Sequence, residues 1–379
     1  LVRGHGMTYD QRFERRQRLG KRFRSSADDW IREVQRARIS TSATLALKIH
    51  ELVYHRGDGR AVRFEVMPLH PFADLCSTVF LSPSRRRRPP LSTEDTMLDQ
   101  RLNAFRPDLA DVRLREVVKA ERYVSAEMAR ITVGKAPLRP KPEADTSIDT
   151  ELLYGETVDL FERDRGWAWV QSRVDSYVGY VEESALGPAA GEITHTVSAL
   201  RTYIYPEPDL KSPPLSLISM NAKLSATETI SDGFIALHDG GWVFKRHVAP
   251  FGNFDADHCA VAMRFLGTPY LWGGRSSLGL DCSALVQMSL MRCGIDIPRD
   301  SDMQENMIGR EAICEPDLSD VRRGDIIYWK GHCGIWIDQA TFIHANATDM
   351  AVAVQPLKRI LHYLSEATGD NDPRVRRPR

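Results

Sequence analysis

Between residues 131 and 250, apolar positions come in short runs that often alternate with polar ones, with Gly, Pro, Asn or Asp every few residues. Many short strands with frequent turn signals predict small β-barrels. Two stretches share one plan, residues 131–188 and 194–250, joined by "AAGEIT". Each has an extended start, a Pro-containing acidic loop, an apolar strand, a Gly-plus-aromatic strand, and a closing "GYV" or "GWV". After "FGNFDAD" the pattern changes. "HCAVAMRFLG" has the spacing of an amphipathic helix closed by Gly267, and "CSALVQMSLMRCG" reads as a more apolar helix stopped by Gly294. "GDIIYWK", "HCGIWI" and "TFIHAN" then read as strands split by turns. Helices first and antiparallel strands afterwards predict an α+β domain over 255–379.

The beginning of the chain differs. Residues 1–96 are arginine-rich, start with Leu1 and end in "SRRRRPPLSTED". The arginine run at 85–88 reads as a solvated charge run. "TLALKIHELVYH" has helical apolar spacing, but Gly and Pro interrupt the residues after it. This region is expected to be an extension outside the working protein, whose natural start would be Met97. Residues 97–130 are expected to form a short arm with one helix.

Composition changes this picture little. The 379 residues are 42% hydrophobic and 27% charged, which excludes global disorder. Lys+Arg and Asp+Glu balance at 51 each, so the total predicts no nucleic-acid or anionic-membrane partner. No stretch approaches the roughly 18 uninterrupted apolar residues of a membrane span, and no apolar segment of signal-peptide type is recognised. The expected location is the cytoplasm. The cysteines at 76, 259, 282, 293, 314 and 333 have neither zinc-knuckle nor redox-dithiol spacing. They are expected to be reduced thiols.

One of them has a distinctive setting. In "GLDCSALVQ", Cys282 opens an apolar helix with Asp281 as N-cap. Unpaired N–H groups and the positive end of the helix dipole favour a thiolate there. The same donors suit an oxyanion on a substrate carbonyl. A base is also required. His332 lies at the entrance of one strand and His344 twelve residues later in the next. With an odd loop such as 338–340, position 332 falls opposite 346 and diagonal to 344, within about 7–8 Å on one face; an even loop separates the histidines. A zinc site using Cys282, His332, His344 and Cys333 is disfavoured, because adjacent strand residues point to opposite faces. On the same parity, Cys333 is expected to point away from the catalytic face as a small core residue. Gly273 and Gly274 read as a tight turn at a cleft, with Trp272 lining it. Trp167 and Trp242 read as barrel-core residues, while His258 and His362 have no evident partner.

"GTPYLWGGRSSLGLDCSALVQ", "RDSDMQ", "RRGDIIYWKGHCGIWID" and "FIHAN" together resemble the NlpC/p-sixty family of papain-like cysteine peptidases, over about 255 to 360. The two upstream segments resemble bacterial SH3-like domains. The combination is similar to γ-D-glutamyl-L-diamino acid endopeptidases, also called dipeptidyl-peptidase VI. The implied architecture is multidomain α+β: two small SH3-like barrels followed by a papain-like catalytic domain. The resemblance implies Cys282 as nucleophile, His332 as general base, His344 as its orienting residue, and Tyr270 as a hydroxyl near the oxyanion. It also implies that Asp281, Ser283 and Ser301 help hold substrate, although the first two equally suit helix caps and the third a turn. An acidic group of the first SH3-like module would recognise a substrate amine. Glu143, Asp145, Asp149 and Glu151 remain alternatives for it. The implied reaction cuts murein-derived peptides such as L-Ala-γ-D-Glu-diaminopimelate, without a cofactor or a metal. Another papain-like amidase or acyltransferase, or a non-catalytic wall-peptide binding protein, are the competing readings. Two departures stand out. Ala284 replaces the glycine of "DCSGLV", and Cys333 the valine of "HVGI".

Overall fold

The computed structural model describes strands Leu52–His55 and Ala61–Phe64 and residues 98–378, apart from 190, 313, 315–317, 319, 339–340, 358 and 360–372. The chain divides into two units, Leu1–Ser92 and Thr93–Arg379. In the first unit the two described strands pair as an antiparallel hairpin. The helix expected from "TLALKIHELVYH" covers Leu52–His55, which is strand, and otherwise lies outside the described residues.

The second unit begins with an arm that contains no α-helix among its described residues. It forms a short parallel pair, Leu109–Asp111 with Arg122–Val124, around a single 3-10 turn. The expected arm helix is absent because Pro107 and closely spaced charges break the apolar run, while Ala104 and Leu109 pack onto Phe161 and Trp169 instead.

A five-stranded sheet comes next, in the order Val178–Glu182, Trp167–Ser172, Thr157–Asp164, Glu127–Ile131 and Leu186–Pro188. It closes over a second pair, Lys135–Leu138 with Thr150–Leu153. The alternation in "TVDLFERD" and "WAWVQS" sends Val158, Leu160, Ala168 and Val170 inward, where they meet Ile131, Leu138 and Val181. Trp167 and Trp169 are out of phase with Ala168 and Val170, so neither joins that core. The barrel-core role expected of Trp167 is therefore not met. Trp169 is buried under Ala104 and Leu109 of the arm, while Trp167 is half-buried in a surface groove beside Arg106. Residues 195–250 repeat the plan: a five-stranded sheet from Ser216–Ser219 to Ala226–Ser231 and a three-stranded one centred on His195–Val197, with a core of Ile204, Ile218, Leu224, Ile235 and Val243. Trp242 is half-buried on its strand rather than central.

The C-terminal part packs helices His258–Arg264 and Cys282–Arg292 on one face of a six-stranded sheet. Asp257 and Asp281 cap the two helices by accepting from Cys259 N and Ala284 N. Gly267 and Gly294, at φ +80° and +79°, end them. Ile326, Tyr328, Cys333, Ile335, Ile343 and Ala345 face Leu285, Val286 and Met288 across this core, into which Leu153 and Met220 of the two smaller modules also reach. The opposite sheet face buries Ile327, Trp329, Trp336, Phe342 and Val375. Strand Arg374–Arg377, unforeseen because its alternation is arginine-rich, pairs with Ile326–Trp329 and makes those strands interior.

Candidate active site

The Cys282–Arg292 helix is buried almost all round, and Cys282, at its first position, is 8% exposed. First-turn N–H groups lack intrahelical acceptors, so this end of the helix carries partial positive charge toward the sulfur. Asp281 is held from several sides. Its Oδ1 accepts from Ala284 N at 2.9 Å and Oδ2 from Gly273 N at 3.0 Å. Arg299 grips both carboxylate oxygens at 3.0 and 2.7 Å and also donates to Ser283 Oγ and Thr150 Oγ1, at 2.8 Å each. The cap that starts the helix is therefore locked by a fully buried fork. Sequence reading missed Arg299, although it stands in the quoted "RDSDMQ".

Strands His332–Trp336 and Thr341–Asn346 pair with Ile335 opposite Ile343 and Trp336 opposite Phe342. Continued, that register is the one set by the odd loop. His332 Nε2 lies 2.8 Å from His344 Nδ1, and the rings meet edge-on with centroids 5.0 Å apart. His344 Nε2 is 3.2 Å from the Asn346 carboxamide. Burial, reinforced by the neighbouring His332, pushes His344 down to about 3. A ring that stays neutral can accept a hydrogen bond from His332 at Nδ1.

Cys333 is the small core residue expected. Strand alternation does put it on the face opposite His332, but that is the face the helix covers. Cys333 therefore packs in the same core as Cys282. The neighbouring Cys333 thiol and then His332 hold Cys282 well below the ordinary thiol range against the opposing effect of burial. Burial pushes Cys259 and Cys293 up to about 11 each. Position 282 is chemically distinct from both.

A cavity of about 230 Å³ opens on the sulfur. Tyr270, Trp272, Asp281, Ser283 and Ser301 all line it, so the sequence-selected residues converge. Trp272 is 69% exposed at the rim. Burial pushes the Tyr270 phenol up, so it stays a hydroxyl donor beside Cys282. The cavity is also lined by Asp149 of the first module, one of the four acidic alternatives, and by Tyr177 and Asp300, which the sequence reading had not singled out. Tyr177 donates to Asp300 Oδ2 at 3.1 Å, and Arg101 of the arm pairs with Asp300 and Asp302 at 2.9 Å each. Burial, then the nearby Asp300, pushes the Asp149 carboxyl up to about 6. The other acidic alternatives sit elsewhere. Glu143 and Asp145 are exposed, and Glu151 is buried against Lys135 and accepts from Arg275 N. Gly273, at φ +72°, lets the loop before Cys282 meet this module: an added Cβ would stand 2.1 Å from Ile148 O.

His258 does have a partner, Gly324 O at 2.8 Å; His362 lies outside the described residues. Among the described residues no group of three or more His, Cys, Asp or Glu is arranged to hold a metal ion.

Comparison with known proteins agrees with this geometry. Residues 267–364 match the NlpC/P60 family. The chain carries an NlpC/P60 cysteine-peptidase domain. Residues 138–186 match the bacterial dipeptidyl-peptidase SH3 domain. Dipeptidyl-peptidase 6 of Lysinibacillus sphaericus is 23% identical over 245 residues, 59% of this chain and 89% of the relative. Gamma-D-glutamyl-L-lysine dipeptidyl-peptidase of Bacillus subtilis is 24% identical over 243 residues, 58% of this chain and 79% of that one. The crystal structure of an NlpC/P60 family protein from Bacillus cereus superposes with a TM-score of 0.56 at 20% identity, covering 66% of this chain and 99% of that chain. It shares the fold. No helix among the described residues is long and apolar enough to cross a membrane.

Proposed function

We propose that the chain hydrolyses murein-derived peptides that carry a free N-terminal amine, at the bond between γ-D-glutamate and a diamino acid. The observation that carries this reading is the acidic far wall of the cavity. Asp149 and Asp300 line the same cavity of about 230 Å³ as Cys282, a space that suits one small N-terminal residue and its ammonium group. The relatives named dipeptidyl-peptidases support the same bond. In this reading residues 194–250 form a second SH3-like module.

Cys282 attacks the amide carbonyl as thiolate. The helix-start N–H groups and the Tyr270 hydroxyl stabilise the oxyanion. His332 gives its proton to the leaving amine of the diamino acid, and a thioester remains. Water, deprotonated by His332, then attacks the thioester and releases the N-terminal dipeptide with a restored thiol. His344 holds the His332 ring through both steps.

The test is incubation of the full chain with L-Ala-γ-D-Glu-meso-diaminopimelate, with Cys282→Ala as control and products read by mass spectrometry. L-Ala-D-Glu and free diamino acid should appear only with the unaltered chain, and the N-acetylated peptide should be cut far more slowly. An intact free-amine peptide across a range of pH would overturn the assignment and favour another amidase or acyl-transfer substrate.

A further inference from the structure

The geometry points to a docking site for an arginine side chain, carried on an extended peptide segment of a partner, in the groove beside Trp167 on the outer face of the first small module. This site stands apart from the peptidase reading, because the groove and the Cys282 cavity share no lining residue.

The outer face of the five-stranded sheet carries two matching rows. In the first, Glu162 and Tyr180 lie opposite Trp169 on its two neighbouring strands; in the second, Asp164 and Glu182 lie opposite Trp167 in the same way. Residues directly opposite in an antiparallel pair share a face, so each row sets an indole beside an acidic side chain on one surface. The chain itself shows what the first row holds. Arg106 of the arm lays its guanidinium 4.4 Å from the Trp169 ring centroid and 5.8 Å from that of Tyr180. It donates to Glu162 at 2.5 Å and to the Tyr180 hydroxyl at 2.8 Å. An aromatic face for the cation and a carboxylate for the N–H groups suit a planar guanidinium better than an ammonium.

The second row has the indole and the carboxylates without the guanidinium. Among the described residues no cation lies over the Trp167 ring. Glu182 is exposed, and the cation nearest Asp164 is Arg165, 3.6 Å away with its side chain 90% exposed. Asp108 and Glu162 are already paired with Arg106, so the charge left to draw a further cation is that of Asp164 and Glu182. A groove of about 540 Å³ opens here, walled by Trp167 and Asp164 on one side and by Pro107 of the arm on the other. It is larger than one arginine side chain fills, which leaves room for the flanking backbone of an extended segment.

The test is fluorine NMR of the full chain labelled with fluorotryptophan, the Trp167 signal being identified by its loss in Trp167→Phe. Three titrants are compared: N-acetylated, C-amidated Ala-Arg-Ala, the same peptide with citrulline in place of arginine, and N-acetylarginine amide. The arginine peptide should shift the Trp167 signal saturably, with an affinity that falls as salt is raised. Citrulline, which keeps the shape and lacks the charge, should leave the signal in place, and the single residue should bind more weakly than the peptide. Asp164→Asn should weaken the arginine peptide about threefold, and Asp164→Asn with Glu182→Gln about tenfold. Both side chains are exposed, so these variants keep the fold. A Trp167 signal that the arginine peptide does not move, or that citrulline moves equally, overturns the proposal. So does an affinity unchanged in the double variant, or one that the single residue matches. Failure of the peptidase reading would leave this titration untouched, since it reports on Trp167 alone.

Discussion

The two small β modules are built alike and used differently. Residues 127–188 and 195–250 each form a five-stranded antiparallel sheet around an aliphatic core, and each sends one side chain, Leu153 or Met220, into the core of the peptidase domain. The first is joined to that domain by ionic, fully desolvated contacts. Arg275 forms a two-pronged pair with Glu156 at 2.9 Å on both arms, and Arg299 reaches Thr150. The second is joined by hydrogen bonds to uncharged acceptors, such as Ser219 Oγ to Ser277 Oγ at 2.9 Å, Asn221 Nδ2 to Met288 O at 2.9 Å and Arg292 to Thr196 Oγ1 at 3.1 Å. Of the two, the first supplies walls of the cavity. A shared plan thus says little about role: what separates them is which one lays a charged edge against the loop that precedes Cys282.

That contrast can be broken by substitution. The largest effect is expected at Glu156→Gln, which leaves Arg275 buried without its counter-charge; the cost should be about 3–5 kcal/mol of unfolding free energy, read by urea denaturation. Its counterpart at the second interface, Ser219→Ala, should cost about 1–3 kcal/mol by stranding the groups of Ser277 it satisfies. Equal losses at both interfaces would erase the distinction.

Kinetics sharpens the comparison. Asp149→Asn should raise KM for the free-amine peptide about tenfold, a loss of roughly 1.4 kcal/mol of binding, with a smaller change in kcat. Because the Asp149 carboxyl is pushed up to about 6, it is charged above that pH and neutral below it. KM for the free-amine peptide should therefore rise as pH falls through about 6 in the unaltered chain, and this rise should be absent in Asp149→Asn. The smallest effect is expected at Thr196→Val, which removes the 3.1 Å bond from Arg292. It should cost about 0.5–1.5 kcal/mol and leave the kinetic constants unchanged. A KM shift there would bring the second module into substrate binding.

What the sequence makes legible depends on the range of the interactions. The cap at Asp281 and the glycine stops at 267 and 294 are local, and periodicity reads them directly; the pairing of His332 with His344 depended on an odd loop, and the strand register supplies it. The far wall of the cavity depends on Asp149, Tyr177 and Asp300 meeting across the fold, and no short motif encodes that. Cys333 shows the limit of parity. Alternation gives the correct face, but what covers that face is a tertiary fact. Trp167 and Trp169 show the same limit on a shared face. Two positions apart on one strand, they look equivalent until the arm covers one of them.

The central claim is that Cys282 is an anion under conditions in which an ordinary thiol is not. Its most direct measurement is the rate of iodoacetamide modification of the unaltered full chain against pH, with the labelled peptide identified. Modification confined to Cys282, at a rate that holds steady well below the ordinary thiol range near 8.5, is the predicted result. A rate that falls with a midpoint near that of a free thiol, or label shared among the cysteines, would contradict it.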